Sequence, residues 1–464
     1  MGNIDHILNN KYSYSIITLF CFICYIANTY SNPIASYVMY SIYGLLILLL
    51  LIFSKNTYNS FVMLFFIPFT IGKVKFHEGT YSQIFSWFIP AIFVAIGIIC
   101  HMFIYKPKLK IGKFSIGLMI YSLGLGLGGI GSIPADKYTI YYFEWYYPIL
   151  LILGLILVNF CLIFYTSTIE RSFESLIDAS IYLTILLVLE IIFFMISNQY
   201  DPLYMIKEKA LDLGWGIHNA VAMIFLTAMP LCIYRAFLDI KKYWYYLVYY
   251  VFLFGLLIFI VCKGGVLAAI IGTIVTFIGV MFFAKEHKKQ IIYTFVGFIS
   301  VVLIGLVTII LSHSDLAKHL NLGNWFSRKD IWHSSIEIFK KNPVFGIGLF
   351  GPCGWDVSTT FPHYQFAHNT ILESMVITGS FGTICFLYHL VEKYTRVFYK
   401  FNFKKFIIFL FFLYPALYGL IDNTYLEITY MFYLLFALVV IDKDFEGEEI
   451  GWLLNFKKSK ASKN

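Results

Sequence analysis

The chain has 464 residues, of which 60% are hydrophobic, 20% aromatic and only 13% charged. That balance excludes a water-soluble globular protein, which needs far more polar cover at this size, and fits an integral membrane protein. The net charge of +8 is accounted for by short basic loops and a basic tail, so it gives no support to a nucleic-acid partner.

Apolar runs of about 20 residues, enough to cross a bilayer, recur from end to end. They fall at 14–31, 34–53, 58–72, 83–105, 114–132, 145–166, 176–197, 218–237, 243–262, 264–284, 291–311, 370–391, 405–421 and 425–441. The expected fold is therefore an all-α polytopic membrane protein with about 12–14 transmembrane helices. The start of the chain lacks the basic cluster and small-residue cleavage pattern of a leader, so the first run is expected to serve as an anchor. The third run is interrupted by Pro68, and the fifth carries the Gly-rich stretch Leu123 to Gly129, which suits close helix packing or a broken helix.

Cysteines sit almost entirely in these runs: Cys21, Cys24, Cys100, Cys161, Cys232, Cys262 and Cys385, with Cys353 alone in a polar segment. An external disulfide framework is not expected. Cys21 and Cys24 have redox spacing, but inside a lipid-embedded helix they read as small packing residues.

Basic residues concentrate at Lys106 to Lys110, Lys241 and Lys242, Lys285 with Lys288 and Lys289, Lys393 to Lys405, and Lys457 to Lys463. With a cytoplasmic start, alternation of spans puts all of these inside, as the positive-inside rule requires. The chain then divides into eleven helices over 1–311, an external loop over 312–369, three helices over 370–441 and a basic cytoplasmic tail over 442–464.

The external loop is the one long polar interruption, and spans carry few ionisable groups, so the chemistry is expected there. Ser327 to Asp330 resembles a capping box, and Trp332, Ile336 and Phe339 recur at helical spacing until Asn342-Pro343. This predicts an amphipathic helix whose apolar face rests on the membrane domain, with Lys340 and Lys341 suiting its C-terminal end. Its N-terminal amides beside Arg328 suit a phosphate, although the same pattern describes a solvated helix whose arginine faces water. Gly346, Gly348 and Gly351 match G-x-G-x-x-G in number only, because no strand precedes them and Pro352 follows. A tight loop folded over the membrane domain is the better reading.

His363 and His368 lie just before the next span, and Asn369 reads as that helix's N-cap. Three readings of the histidines are open: a general base, structural residues, or metal ligands with Cys353 and Asp356, for which no recognised ligand spacing exists. On the same side, Lys263-Gly264-Gly265 joins two helices almost without a loop, and Trp215 to Asn219 opens another helix. A lysine beside two residues without side chains lets a phosphate approach charge and backbone together, while the plain alternative is a snorkelling lysine.

Taken in order, Gly214 to Asn219, Lys263 to Gly265, Ser327 to Trp332, Asn342 to Gly348, Ala367 to Asn369 and Gly379 to Gly382 resemble bacterial O-antigen ligases and O-antigen or capsule polymerases. The first half of the chain matches only as a run of membrane helices. The resemblance implies a GT-C-like, metal-independent glycosyltransferase of the cytoplasmic membrane with its catalytic loop outside, needing no cofactor. It implies a polyprenyl-diphosphate-linked oligosaccharide as donor, and as acceptor either another lipid-linked unit (a polymerase) or a lipid A core or protein (a ligase). Membrane lipids, a flippase and a chain-length regulator are the partners it suggests. By position it assigns catalysis to His368, Arg328 and Lys263, the last standing where the family has arginine and so losing bidentate phosphate recognition. Trp332, His363, Asn369, His218, Asn219, Gly346 and Gly348 are then expected to contact substrate. The moderate loop, without an evident acceptor domain, favours the polymerase. A transporter is the alternative from another class, with Glu190 as the clearest acid within a span.

Overall fold

The computed structural model describes residues 12–30, 33–71, 88–130, 146–170, 173–238, 243–283, 328–348, 367–423 and 425–446, with a few positions between 289 and 300. Fifteen α-helices of defined bounds occur among the described residues. In chain order they are α1 (Tyr12–Tyr30), α2 (Pro33–Phe53), α3 (Tyr58–Phe66), α4 (Phe88–Tyr105), α5 (Ile116–Leu127), α6 (Tyr146–Thr168), α7 (Phe173–Asn198) and α8 (Pro202–Glu208). Then come α9 (His218–Leu238), α10 (Tyr243–Phe259), α11 (Lys263–Phe283), α12 (Arg328–Lys341), α13 (Thr370–Phe398), α14 (Phe403–Gly419) and α15 (Ile428–Asp444). Pro68 turns the end of α3 into a short 3-10 stretch over Ile67–Thr70.

The expected all-helical membrane architecture is what the chain forms, in keeping with the GT-C-like class. Six helices (α2, α6, α7, α9, α11 and α13) are long and apolar enough to cross a bilayer, and α1, α3, α4, α5 and α10 are shorter apolar helices. The expected span at 291–311, the capping Ser327, the loop over 349–366 with Cys353 and His363, and the basic tail all lie outside the described residues. The short α8 was not expected from the sequence. Asp201 caps it by accepting from the Tyr204 amide, and Lys209 ends it in a left-handed conformation.

Helix α9 is the centre of the bundle, buried on nearly every side and packed by α7, α10, α11, α14 and α15. Small residues at Ala220, Ala222, Ala228 and Ala236 let those neighbours approach closely. Near the end of α15, the Asp442 carboxylate serves the start of α5, accepting from the Phe114 and Ser115 amides and the Ser115 hydroxyl. A side chain at Gly112 would collide with that carboxylate, which accounts for the glycine.

The Gly-rich stretch of α5 both packs closely and ends a helix. A Cβ on Gly124 would come within 2.8 Å of the Gly382 Cα on α13. Gly129, at φ +84°, ends the segment against Gly348.

Helix α13 is broken at Gly379, whose φ of 63° and ψ of −165° belong to glycine alone. A break in a membrane helix frees backbone groups that the bilayer cannot satisfy. Here the segment after α12 is stitched into it. Ile347 and Gly348 amides donate to the Val376 and Ile377 carbonyls at 2.9 and 2.8 Å, while Ser380 and Phe381 amides donate to Pro343 and Val344 at 2.8 and 3.1 Å. Gly129 joins through its amide to the Phe345 carbonyl at 2.7 Å. Gly346, at φ +65°, must be glycine because a Cβ would lie 2.4 Å from the Val376 carbonyl oxygen.

The face of α12 differs from expectation. Ser335 and Ile338 are buried against α13, whereas Ile336 is 38% exposed. Trp332 and Phe339 are half-buried beside them, so of the expected apolar line only Ile336 turns outward.

Gly379→Ala forces a Cβ to within 2.3 Å of the Val344 carbonyl oxygen. It is expected to cost about 3 kcal/mol and to lower the thermal midpoint in detergent, whereas Ala at Gly255, where nothing lies within 4 Å, is expected to leave it unchanged.

Candidate functional site

The site is organised by the turn that follows α14. Leu420 donates to Leu417, and Ile421 and Asp422 donate to the Tyr418 carbonyl, both at 2.9 Å, so the helix ends in a tight corner. The carbonyls of Leu420, Ile421 and Asp422 then point away without helical partners, and each is capped by a side chain from another element. Asn369 Nδ2 donates to Leu420 at 3.1 Å, Thr370 Oγ1 to Asp422 at 3.1 Å, and the Arg328 guanidinium to Ile421. A cation at a helix C-terminus is also favoured by the helix dipole.

His368 sits over this corner. Its backbone is left-handed at φ +47°, unusual for a residue with a side chain, and it is pinned from both sides. Ala367 donates its amide to Glu373 at 2.5 Å and accepts from Trp332 Nε1 at 2.9 Å. Asn369 donates its amide to Asn423 Oδ1 at 3.1 Å while its own side chain caps α13, accepting from Ile371 and Leu372. The imidazole is thereby brought to Asp422, Nδ1 lying 3.2 Å from Oδ1.

Asp422 Oδ2 accepts from the Tyr418 hydroxyl at 2.9 Å, and Oδ1 also accepts from the Asn423 amide at 2.9 Å. Burial pushes this carboxyl up, but the His368 contact, the Asn423 amide and the Tyr418 hydroxyl outweigh it and hold the carboxyl below its ordinary value. An ionised Asp422 is an acceptor for a proton carried on Nδ1, the tautomer in which Nε2 keeps its lone pair. The His368 side chain is 29% exposed against 14% for Asp422, so the histidine is the member of the pair open to a reactant.

The Lys263 turn reaches the same corner from the other side. A Cβ on Gly264 would lie 3.1 Å from the Tyr418 ring and 3.2 Å from Ile421, and one on Gly265 would lie 2.9 Å from Cys262 Sγ and 3.3 Å from Ala222. Both glycines are therefore required for the turn to nest against α9 and α14. Cys262 donates its thiol to Tyr418 at 3.3 Å, with Asn219 Oδ1 at 3.7 Å. His218 and Lys263 begin their helices here, and Lys209 lies within electrostatic reach of both. The Trp215 indole donates to Glu190 Oε2 at 2.8 Å and packs edge-on to Phe69, tying the segment before His218 to the bundle.

Of the residues singled out from the sequence, Arg328, His368 and Asn369 contact the Tyr418–Asn423 corner directly. Lys263 and Asn219 adjoin it through Gly264 and Cys262, and Trp332 supports it through Ala367. His218 lies near Asp422. Gly346 and Gly348 instead belong to the stitched break, roughly 10–14 Å further along α13 from its start. Sequence reasoning missed Asp422, Tyr418 and Lys209. An available signal was that Asp422 and Lys209 sit in turns whose parity puts them on the same face as the long loop. Among the described residues no three His, Cys, Asp or Glu side chains group to hold a metal ion.

Because the Asp422 carboxyl is held low in the folded protein, its pairing stabilises the fold above the ordinary aspartate value of about 4 and is lost as pH falls through the lower folded value. The thermal midpoint of the wild type is expected to drop more steeply below about pH 4 than that of Asp422→Asn, as scanning fluorimetry in detergent would read.

No curated protein and no solved structure matches the chain significantly. Residues 248–387, from the middle of α10 to the middle of α13, match the family model described as O-antigen ligase. That segment contains the Lys263 turn, α12, the stitched break and His368. Over that segment the chain is similar to the O-antigen ligase family, and its six helices long and apolar enough to cross a bilayer fit a multi-pass membrane protein.

Proposed function

We propose that the protein is a glycosyltransferase that joins polyprenyl-diphosphate-linked oligosaccharide units into a surface polysaccharide at the outer face of the cytoplasmic membrane. The observation that carries this reading is the convergence of His368, Arg328 and the Lys263 turn, from three distant parts of the chain, on the one corner after α14. Such a transfer requires an acceptor hydroxyl to attack the anomeric carbon while a diphosphate leaves. The leaving group already activates the sugar, so positioning, deprotonation and neutralisation of charge are what remain.

In this reading His368 Nε2 takes the proton of the acceptor hydroxyl. Asp422 holds Nδ1 and stabilises the imidazolium that forms, and Arg328 and Lys263 meet the diphosphate. One Arg328 nitrogen is engaged by the Ile421 carbonyl, which sets the plane of the guanidinium and leaves further N–H groups on its fork. Lysine in place of arginine at 263 supplies a point charge, so more of the geometric recognition falls to Arg328. His218, Asn219, Asn369 and His363 are secondary contacts.

The description of the matching family favours a second reading, transfer of the glycan to a separate acceptor such as a lipid A core or a protein. Purified protein given a lipid-linked repeat unit as sole substrate separates the two: a ladder of products supports the polymerase, and no product until an acceptor is added supports the ligase. Translocation without new glycosidic bonds contradicts both.

His368→Ala is expected to lower kcat by about 10²–10⁴-fold at normal abundance. Arg328→Lys, which keeps the charge and loses the fork, is expected to raise KM for the donor by about tenfold or more. Because cationic side chains meet the diphosphate, activity is expected to persist in excess chelator. A chelator-sensitive enzyme restored by divalent cation contradicts that part of the account.

A further inference from the structure

We propose that Tyr418 is a positioning residue that fixes the Lys263 turn and the His368–Asp422 pair as one unit. This rests on the glycosyl-transfer reading of those residues and adds to it the element that keeps the donor-binding cation and the base in register.

Tyr418 is 2% exposed, in the last turn of α14. Its ring lies under Gly264, close enough that a Cβ there would stand 3.1 Å from the ring edge, so the turn carrying Lys263 cannot shift inward without moving Tyr418. Its hydroxyl accepts the Cys262 thiol at 3.3 Å and donates to Asp422 Oδ2 at 2.9 Å, and Asp422 Oδ1 in turn meets His368 Nδ1 at 3.2 Å. Thiol, phenol, carboxylate and imidazole thus form a chain in which the thiol's bond strengthens the hydroxyl as a donor, and hydroxyl and imidazole meet at the one carboxylate from its two sides. No bond is made or broken in this role, and the phenol stays protonated.

The charged and titratable groups around the pair come from every neighbouring element. Arg328 on α12 contacts Ile421, His218 at the start of α9 and Glu427 before α15 act electrostatically on or with Asp422, and Lys263 and Cys262 lie on the adjoining turn. Glu373 on α13 is engaged by the Ala367 amide. Against this background the Tyr418 hydroxyl is the one side-chain donor to Asp422 besides His368 among the hydrogen bonds of the described residues. Removing it leaves the carboxylate less satisfied and more basic, so the His368–Asp422 pair retains its proton to higher pH.

The test is Tyr418→Phe in the purified, full-length protein, assayed with a lipid-linked repeat unit. Expected are a kcat lowered several-fold, a donor KM within about twofold of wild type, and an acid limb of the kcat/KM profile moved upward by about 0.5–1 pH unit. Cys262→Ala is expected to move the limb in the same direction by less, and to add nothing in the Tyr418→Phe background, because the thiol acts through the phenol. An active Tyr418→Phe enzyme whose pH profile superimposes on the wild type overturns the proposal and leaves the glycosyl-transfer reading standing. Additive effects of Cys262→Ala and Tyr418→Phe overturn it likewise. A wild type that forms no glycosidic bond under any acceptor condition overturns the reading and the proposal together.

Discussion

Three backbone carbonyls at the end of α14 have no helical partner, and the elements that cap them are the ones on which the proposed chemistry rests. Leu420, Ile421 and Asp422 are satisfied by Asn369, Arg328 and Thr370, drawn from the start of α12 and the start of α13. Capping these carbonyls fixes the direction in which the chain leaves α14. The corner therefore holds Arg328 and the His368 segment in place while they cap it, so the contacts that end α14 are also those that position the proposed site.

The described part of the long polar segment is likewise anchored on the membrane helices. Helix α12 leans on α13 through Ser335 and Ile338, Trp332 ties it to Ala367, and the segment from Pro343 to Gly348 repairs the break at Gly379. Two sequence motifs more than thirty residues apart, Asn342 to Gly348 and Gly379 to Gly382, are complementary halves of one backbone joint. Gly346 and Gly379 are there because carbonyl groups occupy the space a side chain would need, and Gly382 because the Thr378 side chain fills it.

Much of the fold could be read from the chain, because a bilayer leaves little choice: apolar runs of the right length become helices, and Pro68 and Asn342-Pro343 stop them where expected. His368, Arg328, Asn369 and the Lys263 turn were visible as polar residues at helix starts on one face. Their convergence was not, because nothing in a linear sequence says that three starts meet at the end of α14. Asp422 and Tyr418 were overlooked for the same reason: a lone acid after an apolar run reads as an interfacial residue until His368 is seen beside it. Gly346 and Gly348 read as a tight loop over the membrane domain, and the broken helix supplies what that loop folds onto: the Val376 and Ile377 carbonyls. The face of α12 was misjudged at Ile336 because periodicity marks which residues are apolar, not which of them a neighbouring helix covers.

The account stands on His368 and Asp422 acting as a unit set on that corner. A double-mutant cycle on kcat/KM with His368→Ala, Asp422→Asn and the combined variant measures this directly. The double variant is expected to lose no more activity than His368→Ala alone, because Asp422 has nothing left to orient. Losses that multiply across the cycle would show that the two residues work independently and would contradict the account.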